Sequence, residues 1–290
     1  MIRPPTLPAL WAGLALLAAA CGDAPSTAAS RASASGPAGR PAPDSAAVVP
    51  YTLTAPAAVV ELPDELREIS GLTVLESGRL GAVQDESGTL YELDAATGAV
   101  LSREAFDARG DYEGVEQAGD DVWVLQSNGD LTRLRRGAEA EVFETALAGR
   151  NDTEGLAYDA AGNRLLIACK ENPGNGLGDV RAVYAFDLAS ETLSAAPVFT
   201  LDRTRLDAED PFKPSAIAVR PGTGEAYVLS SVRRALAVVR ADGTLLAVVE
   251  LPEALYPQPE GIAFAPDGTL YISNEGPDGP DTLLRFDPTR

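Results

Sequence analysis

Five short segments place a polar residue just ahead of a small residue and an apolar run. They are Glu68-Ile69-Ser70-Gly71-Leu72, Glu113-Gly114-Val115, Glu154-Gly155-Leu156-Ala157-Tyr158, Pro214-Ser215-Ala216-Ile217-Ala218 and Glu260-Gly261-Ile262-Ala263-Phe264. After each, a second apolar run ends in further polar residues: Gln84-Asp85-Glu86, Gln126-Ser127-Asn128, Lys170-Glu171-Asn172, Ser230-Ser231 and Ser273-Asn274-Glu275. If these ends meet, the carboxylates raise one another's pKa unless a cation intervenes. Three chemistries answer that conflict. A hard metal with oxygen ligands could sit there, Ca²⁺ being the best match. Lys170 and Arg234 could pair with the acids internally. Or the Glu residues could accept backbone N–H groups and tie neighbouring segments together. The candidate ligand or metal residues are Glu68, Asp85, Glu86, Glu113, Glu154, Lys170, Glu171, Arg234, Glu260, Asn274 and Glu275. The spacing assigns none of them a catalytic role.

Composition narrows the chemistry. Histidine is absent from the 290 residues, which excludes a Ser-His-Asp triad, a Cys-His dyad and His-ligated zinc. The formal charge is −20; nucleic-acid binding and electrostatic docking on anionic lipid both need clustered Lys and Arg and are not expected. Asp120-Asp121 and Asn151-Asp152 lack the alternating acidic spacing of an EF-hand loop and read as solvated turns. Cys169, at the end of an apolar strand, and Trp123 read as packing residues.

The elements that must position the polar ends repeat. Gly71, Gly114, Gly155, Ala216 and Gly261 are 43, 41, 61 and 45 residues apart. A period of about 40–45 residues is that of a four-stranded propeller blade, and the long interval is one blade with an insertion. Second strands are expected at 79–83, 121–125, 164–168, 226–229 and 269–272, with turns such as Pro266-Asp267-Gly268 and Ala161-Gly162-Asn163 between strands. The last repeat has three strands, and the apolar run 57–62 can supply its fourth, which would remove an open sheet edge. The expected fold is all-β: a five-bladed β-propeller with its last blade closed by an N-terminal strand. A solenoid or sandwich is the alternative. Because the first two strands of a blade are antiparallel, the start of one and the end of the other lie side by side, so the polar clusters converge on one channel mouth. Segments 172–179, 203–213 and 276–281 could wall a pocket there.

Residues 1–20 read as a signal peptide, with Arg3 ahead of a 14-residue apolar run that ends at Ala20. Cys21 follows small residues and is the expected lipidation site, although Ala18 stands where such signals prefer Leu. Residues 21–50 form the lipidated cysteine and an Ala/Ser/Pro/Gly-rich tether that cannot bury a core, and 51–290 the propeller. The expected location is the cell envelope, lipid-anchored to a bacterial membrane: the outer membrane or the periplasmic face of the inner one.

Across roughly residues 60–287 the chain resembles the SdiA-regulated family of bacterial lipoprotein propellers. The resemblance rests on Thr153-Glu154-Gly155-Leu156-Ala157-Tyr158, Lys170-Glu171-Asn172-Pro173, Leu229-Ser230-Ser231 with Arg234-Ala235-Leu236, Pro259-Glu260-Gly261-Ile262-Ala263, and Leu270-Tyr271-Ile272-Ser273-Asn274-Glu275. It implies a fold and a location, and no particular reaction. Three functions stay open. The first is a non-catalytic, lipid-anchored binding module with a small-molecule or cation site at the mouth, acting as a monomer. The second is a metal-dependent hydrolase of the lactonase or phosphoesterase kind. The third is a protein-interaction scaffold.

Overall fold

In the computed structural model, residues 49–147 and 151–289 are described. The expected signal peptide, Cys21 and the tether up to residue 48 lie outside them.

The described chain forms five antiparallel sheets arranged as blades. Strand β1 (Ala58–Glu61) comes first in the chain. Blade 1 is β2 (Ile69–Val74), β3 (Leu80–Gln84), β4 (Ser87–Leu93) and β5 (Val100–Arg109). Blade 2 is β6 (Tyr112–Ala118), β7 (Asp121–Gln126), β8 (Leu131–Leu134) and β9 (Glu141–Phe143). Blade 3 is β10 (Thr153–Asp159), β11 (Arg164–Cys169) and β12 (Val180–Asp187), whose outer edge pairs with both β13 (Thr192–Leu193) and β14 (Phe199–Asp202). The long repeat interval is therefore one blade with a divided outer strand and a following link that holds a short helix, α1 (Arg203–Leu206). Blade 4 is β15 (Ala216–Val219), β16 (Ala226–Ser230), β17 (Ala235–Val239) and β18 (Leu245–Glu250). Blade 5 is β19 (Gln258–Phe264), β20 (Leu270–Glu275) and β21 (Thr282–Phe286), and β1 pairs with β21 from Ala58↔Arg285 to Glu61↔Thr282.

The five innermost strands contact one another in a closed ring, β2 to β6 to β10 to β15 to β19 and back to β2. The repeat-anchoring glycines permit that approach. A Cβ on Gly71 would lie 2.9 Å from the Val115 nitrogen and 3.0 Å from the Gly114 carbonyl carbon. One on Gly155 would lie 3.0 Å from the Ile217 nitrogen. Backbone cannot yield at such distances, so at these positions the inner strand carries no side chain on that face, whereas blade 4 accommodates the methyl group of Ala216.

The core consists of apolar seams between blades. Leu166, Ala168 and Val183 of blade 3 meet Ile217, Val228 and Ala237 of blade 4. Trp123 of blade 2 packs against Phe186 of blade 3 with ring centroids 5.6 Å apart, and Arg133 lies over the Trp123 ring. Cys169 is buried, and burial pushes its thiol up to about 12, so it is an inert core residue. The fold begins earlier than residue 51. Val49 is buried with Tyr51 and Leu53 against Tyr227 and Tyr256, and the Thr289 N–H bonds the Pro50 carbonyl.

Candidate functional site

The inner strands of four blades carry a β-bulge at the same place. Pairing skips one residue between Ile69 and Gly71, Tyr112 and Gly114, Thr153 and Gly155, and Pro259 and Gly261. The skipped residues are Ser70, Glu113, Glu154 and Glu260. A bulge leaves its extra residue out of the ladder and re-aims its side chain, and these four line the channel. In blade 4 Ser215 precedes the ladder at the equivalent position.

This corrects one expectation. Glu68 is not a member of the channel ring; Ser70 holds that position, so the ring has three Glu and two Ser. Glu68 lies two residues earlier, exposed, with φ +64. The two serines do the inter-blade tying expected of the glutamates. The Ser70 hydroxyl donates to the Tyr112 carbonyl at 2.6 Å, and that of Ser215 to the Pro259 carbonyl at 2.7 Å. The three ring glutamates instead meet side chains: Glu113 bonds Asp111, Glu154 meets Lys170, and Glu260 is bonded by Gln258 at 3.0 Å and by Ser231.

A second tier stands where the neighbouring strand ends. Asp85, Ser127, Lys170, Ser231 and Glu275 each lie two residues beyond the partner of the anchor residue. The turn leading into the inner strand is bound here as well, with the Lys170 N–H on the Asp152 carbonyl at 2.7 Å and the Ser127 N–H on the Asp111 carbonyl at 2.9 Å. Asn151-Asp152 is thus not a solvated turn. Asn151 is buried, donates to the Asn172 carbonyl at 2.7 Å, and Asp152 has φ +51.

Electrostatics set the chemistry of the mouth. Burial pushes Glu113 upward, helped by Glu154 and Asp111. Burial also raises Glu154, with Glu260 adding to it and Lys170 opposing. Glu260 is raised by burial against the pull of Lys170, and Glu275 is near. Burial works against the Lys170 ammonium, but Glu154, Glu260 and Asp152 outweigh it and keep the lysine a firm cation. The direct contact between Lys170 Nζ and Glu154 Oε1 opposes the upward shift of Glu154, while burial raises all three ring carboxyls. Further out, burial and the neighbours Glu68, Glu86 and Asp111 raise Asp85 to about 6. Burial, Asp281 and Asp85 raise Glu275 to about 7. Gln258 donates to both Glu260 and Glu275.

Two oxygens stand out. Glu154 is 4% exposed, and its Oε2 has no hydrogen-bond partner; Asn274 is fully buried, donates to Thr282 Oγ1 at 3.2 Å, and its Oδ1 has none either. Buried polar atoms are normally satisfied, so each calls for a donor. The space among Ser70, Glu113, Glu154 and Glu260 holds about one water molecule.

The remaining candidates stand outside the channel. Glu171 pairs with Lys213, exposed Glu86 pairs with Arg109 at 2.7 Å, and Arg234 faces Glu253 at 3.6 Å. Three residues that tie the blades and loops together were not singled out from sequence. Asp281 accepts the Gly276 N–H at 2.9 Å and the Ile69 N–H at 3.3 Å, clamping blade 5 to blade 1. Arg181 donates to the Phe212 carbonyl at 2.6 Å and the Glu171 carbonyl at 3.1 Å, pinning the link after α1. Glu116 meets the Thr73 hydroxyl at 3.4 Å and the Tyr158 N–H, so it performs the tie between blades.

The expected Ca²⁺ finds no preformed carboxylate cage. Among the described residues no three Asp, Glu or Cys side chains converge closely enough to hold a metal ion.

Fold and mouth together define a class: a five-bladed β-propeller whose channel opens through a lysine-bearing ring of carboxyls. Residues 51–279 match the SdiA-regulated family, and the chain belongs to it. Solved structures agree on the fold. The glutaminyl cyclase of Myxococcus xanthus is 16% identical, with 81% of this chain and 97% of that one covered and a TM-score of 0.58. A gluconolactonase from Xanthomonas campestris is 16% identical over 76% and 72% of the chains, with a TM-score of 0.51. A putative gluconolactonase is 15% identical over 78% and 77%, with a TM-score of 0.52. These are similarities of propeller architecture.

Proposed function

We propose that this protein is an envelope binding module that takes a small polar ligand at the channel mouth and is held to a bacterial membrane by a lipid on Cys21. The observation that carries the reading is the Glu154 side chain, which lines the channel: it is nearly buried, fixed through one oxygen by Lys170, and left with an unpartnered second oxygen. A fixed acceptor in a low-dielectric site favours a ligand that brings a donor. Thermal melting of the wild type against a small-molecule panel, repeated on Glu154→Gln, tests it. Compounds that stabilise the wild type should lose their effect in the variant; equal stabilisation of both would place binding elsewhere. For the anchor, palmitate labelling should vanish in Cys21→Ser, and its persistence would refute lipidation at that residue.

A second reading is hydrolysis. Asp85 near 6 and Glu275 near 7 lie where a general acid or base works best at neutral pH, and gluconolactonases share the architecture. Turnover in a lactone screen that disappears in Glu275→Gln would support it, and turnover unchanged in that variant would oppose it.

A further inference from the structure

The seam between blades 2 and 3 is closed by side chains that the seam between blades 1 and 2 lacks. In the former, Trp123, Phe143 and Phe186 pack with ring centroids 5.3 to 5.6 Å apart. The Arg133 guanidinium lies over Trp123 and Phe143 and pairs with Glu141 and Glu191. Strand register gives the matching positions one seam earlier. Val83 and Leu125 are the partners of Gly71 and Gly114, so Gly81 stands where Trp123 does. Glu92 is opposite Gly81 as Arg133 is opposite Trp123. Glu104 pairs with Leu90 as Phe143 pairs with Leu131. Leu134, opposite Val122, takes the place of Phe186, opposite Leu165.

Seams are close-packed, so rings and a guanidinium that are not replaced in kind open space. A cavity of about 500 Å³ lies there, within the range that small organic ligands occupy. Leu75, Leu90, Val122 and Leu134 supply its apolar wall. Glu76, Glu92, Glu104 and Asp120 line it as well. Glu92 is held by Arg79 at 3.1 Å; the other three acids make no ion pair among the described residues. Of the two lining bases, Arg135 pairs with Asp121 at 3.0 Å, which sets Arg136 alone against this acidic rim. The cavity therefore has room for a ring and carboxylates for a cation, the two parts that Trp123, Phe143 and Arg133 bring to the next seam.

We propose that this cavity binds a small organic cation with an aromatic body, an arylalkyl amine or guanidine. The ring lies against Leu90 and Leu134, and the charged end meets Glu92 and Glu104. The site is separate from the channel, with which it shares no lining residue.

Titration calorimetry of the full-length protein tests this with tryptamine, whose indole is the ring of the Trp123 side chain. Ethylamine keeps the charge without the ring, and indole-3-propionate keeps the ring with the opposite charge. Tryptamine should bind at one site, and both other probes at least about tenfold more weakly. Leu134→Phe/Glu104→Phe restores the two rings of the next seam; it should weaken tryptamine at least about tenfold while the melting temperature holds or rises. Glu92→Gln/Glu104→Gln keeps the cavity and should weaken tryptamine at least about fivefold, which serves if the first variant does not fold. Glu139→Gln, exposed and outside the cavity lining, is the neutral control. Glu154→Gln should bind tryptamine as the wild type does, so amines of this seam are left out of any panel scored on Glu154. Absence of tryptamine binding would overturn the proposal, as would indole-3-propionate binding equally well or indifference to both double variants. Loss of tryptamine binding in Glu154→Gln would also overturn it and assign the amine to the mouth.

Discussion

Lys170 Nζ contacts one oxygen of the Glu154 carboxylate, and the other oxygen of the same carboxylate has no partner. The pair joins two strands of blade 3, and its charges lie at the convergence of all five blades. Removing the lysine leaves a carboxylate with 5% of its side chain exposed. Lys170→Ala should therefore destabilise by about 2–3 kcal/mol, below the ~3–5 kcal/mol of a fully buried pair because part of the lysine reaches solvent. The double variant Lys170→Ala/Glu154→Gln should recover much of the loss. Urea unfolding measures both, and a single variant as stable as the wild type would contradict the pairing.

The buried acids have a pH signature opposite to ordinary acid denaturation. Asp85 rises from 3.8 to about 6, Glu275 from 4.5 to about 7 and Glu116 from 4.5 to about 8. Each binds its proton more tightly folded than unfolded, so folding stability falls as pH rises from about 4 to about 8. Asp94, Asp187, Asp242 and Asp267 are lowered by turn hydrogen bonds and act in the opposite sense, losing their contribution as pH falls below the ordinary carboxylate range. The melting temperature should peak at mildly acidic pH and decline toward pH 8, less steeply in Glu116→Gln. A melting temperature that climbs from pH 5 to pH 8 would contradict the burial of these acids.

Gly71 limits how tightly the ring closes. Gly71→Ala places a Cβ against Val115 and Gly114 backbone and should cost about 1–3 kcal/mol. Gly279→Ala meets nothing within 4 Å and should change stability by less than about 0.5 kcal/mol. Equal effects of the two in denaturant unfolding would remove the close-approach explanation.

Tyr51 secures the entry of the chain into the fold. Its hydroxyl donates to the Gly268 carbonyl at 2.7 Å, and its ring meets Tyr227 edge-on at 6.4 Å. Tyr51→Ala should cost about 3 kcal/mol, in the range of buried aromatic truncation. A loss under about 1 kcal/mol would show that residues 49–53 are dispensable to the blade 4–5 seam.

The parts visible in sequence and the parts hidden divide on physical grounds. Strand alternation and the glycine spacing reveal the blades because every blade buries the same faces and needs the same close approach. Glu154, Glu260 and Lys170 were legible because they flank those glycines or end the facing strand. Glu68 misled because its charge drew the alignment: in every other blade the channel residue directly precedes the anchor, and in blade 1 that position is Ser70, which lacks a charge to announce itself. Asp281 and Arg181 were not legible because their partners are backbone groups brought near by loops, 212 and 31 residues away in sequence. Asn151-Asp152 looked like any polar turn, and its burial follows from the Lys170 strand folding back over it.

The most direct test of the account is ligand-induced stabilisation measured on the wild type, Glu154→Gln and Glu139→Gln side by side. A ligand of the mouth should raise the melting temperature of the wild type and of Glu139→Gln and leave that of Glu154→Gln unchanged. A ligand that stabilises all three alike would contradict the claim that the unpaired oxygen of Glu154 is the centre of the site.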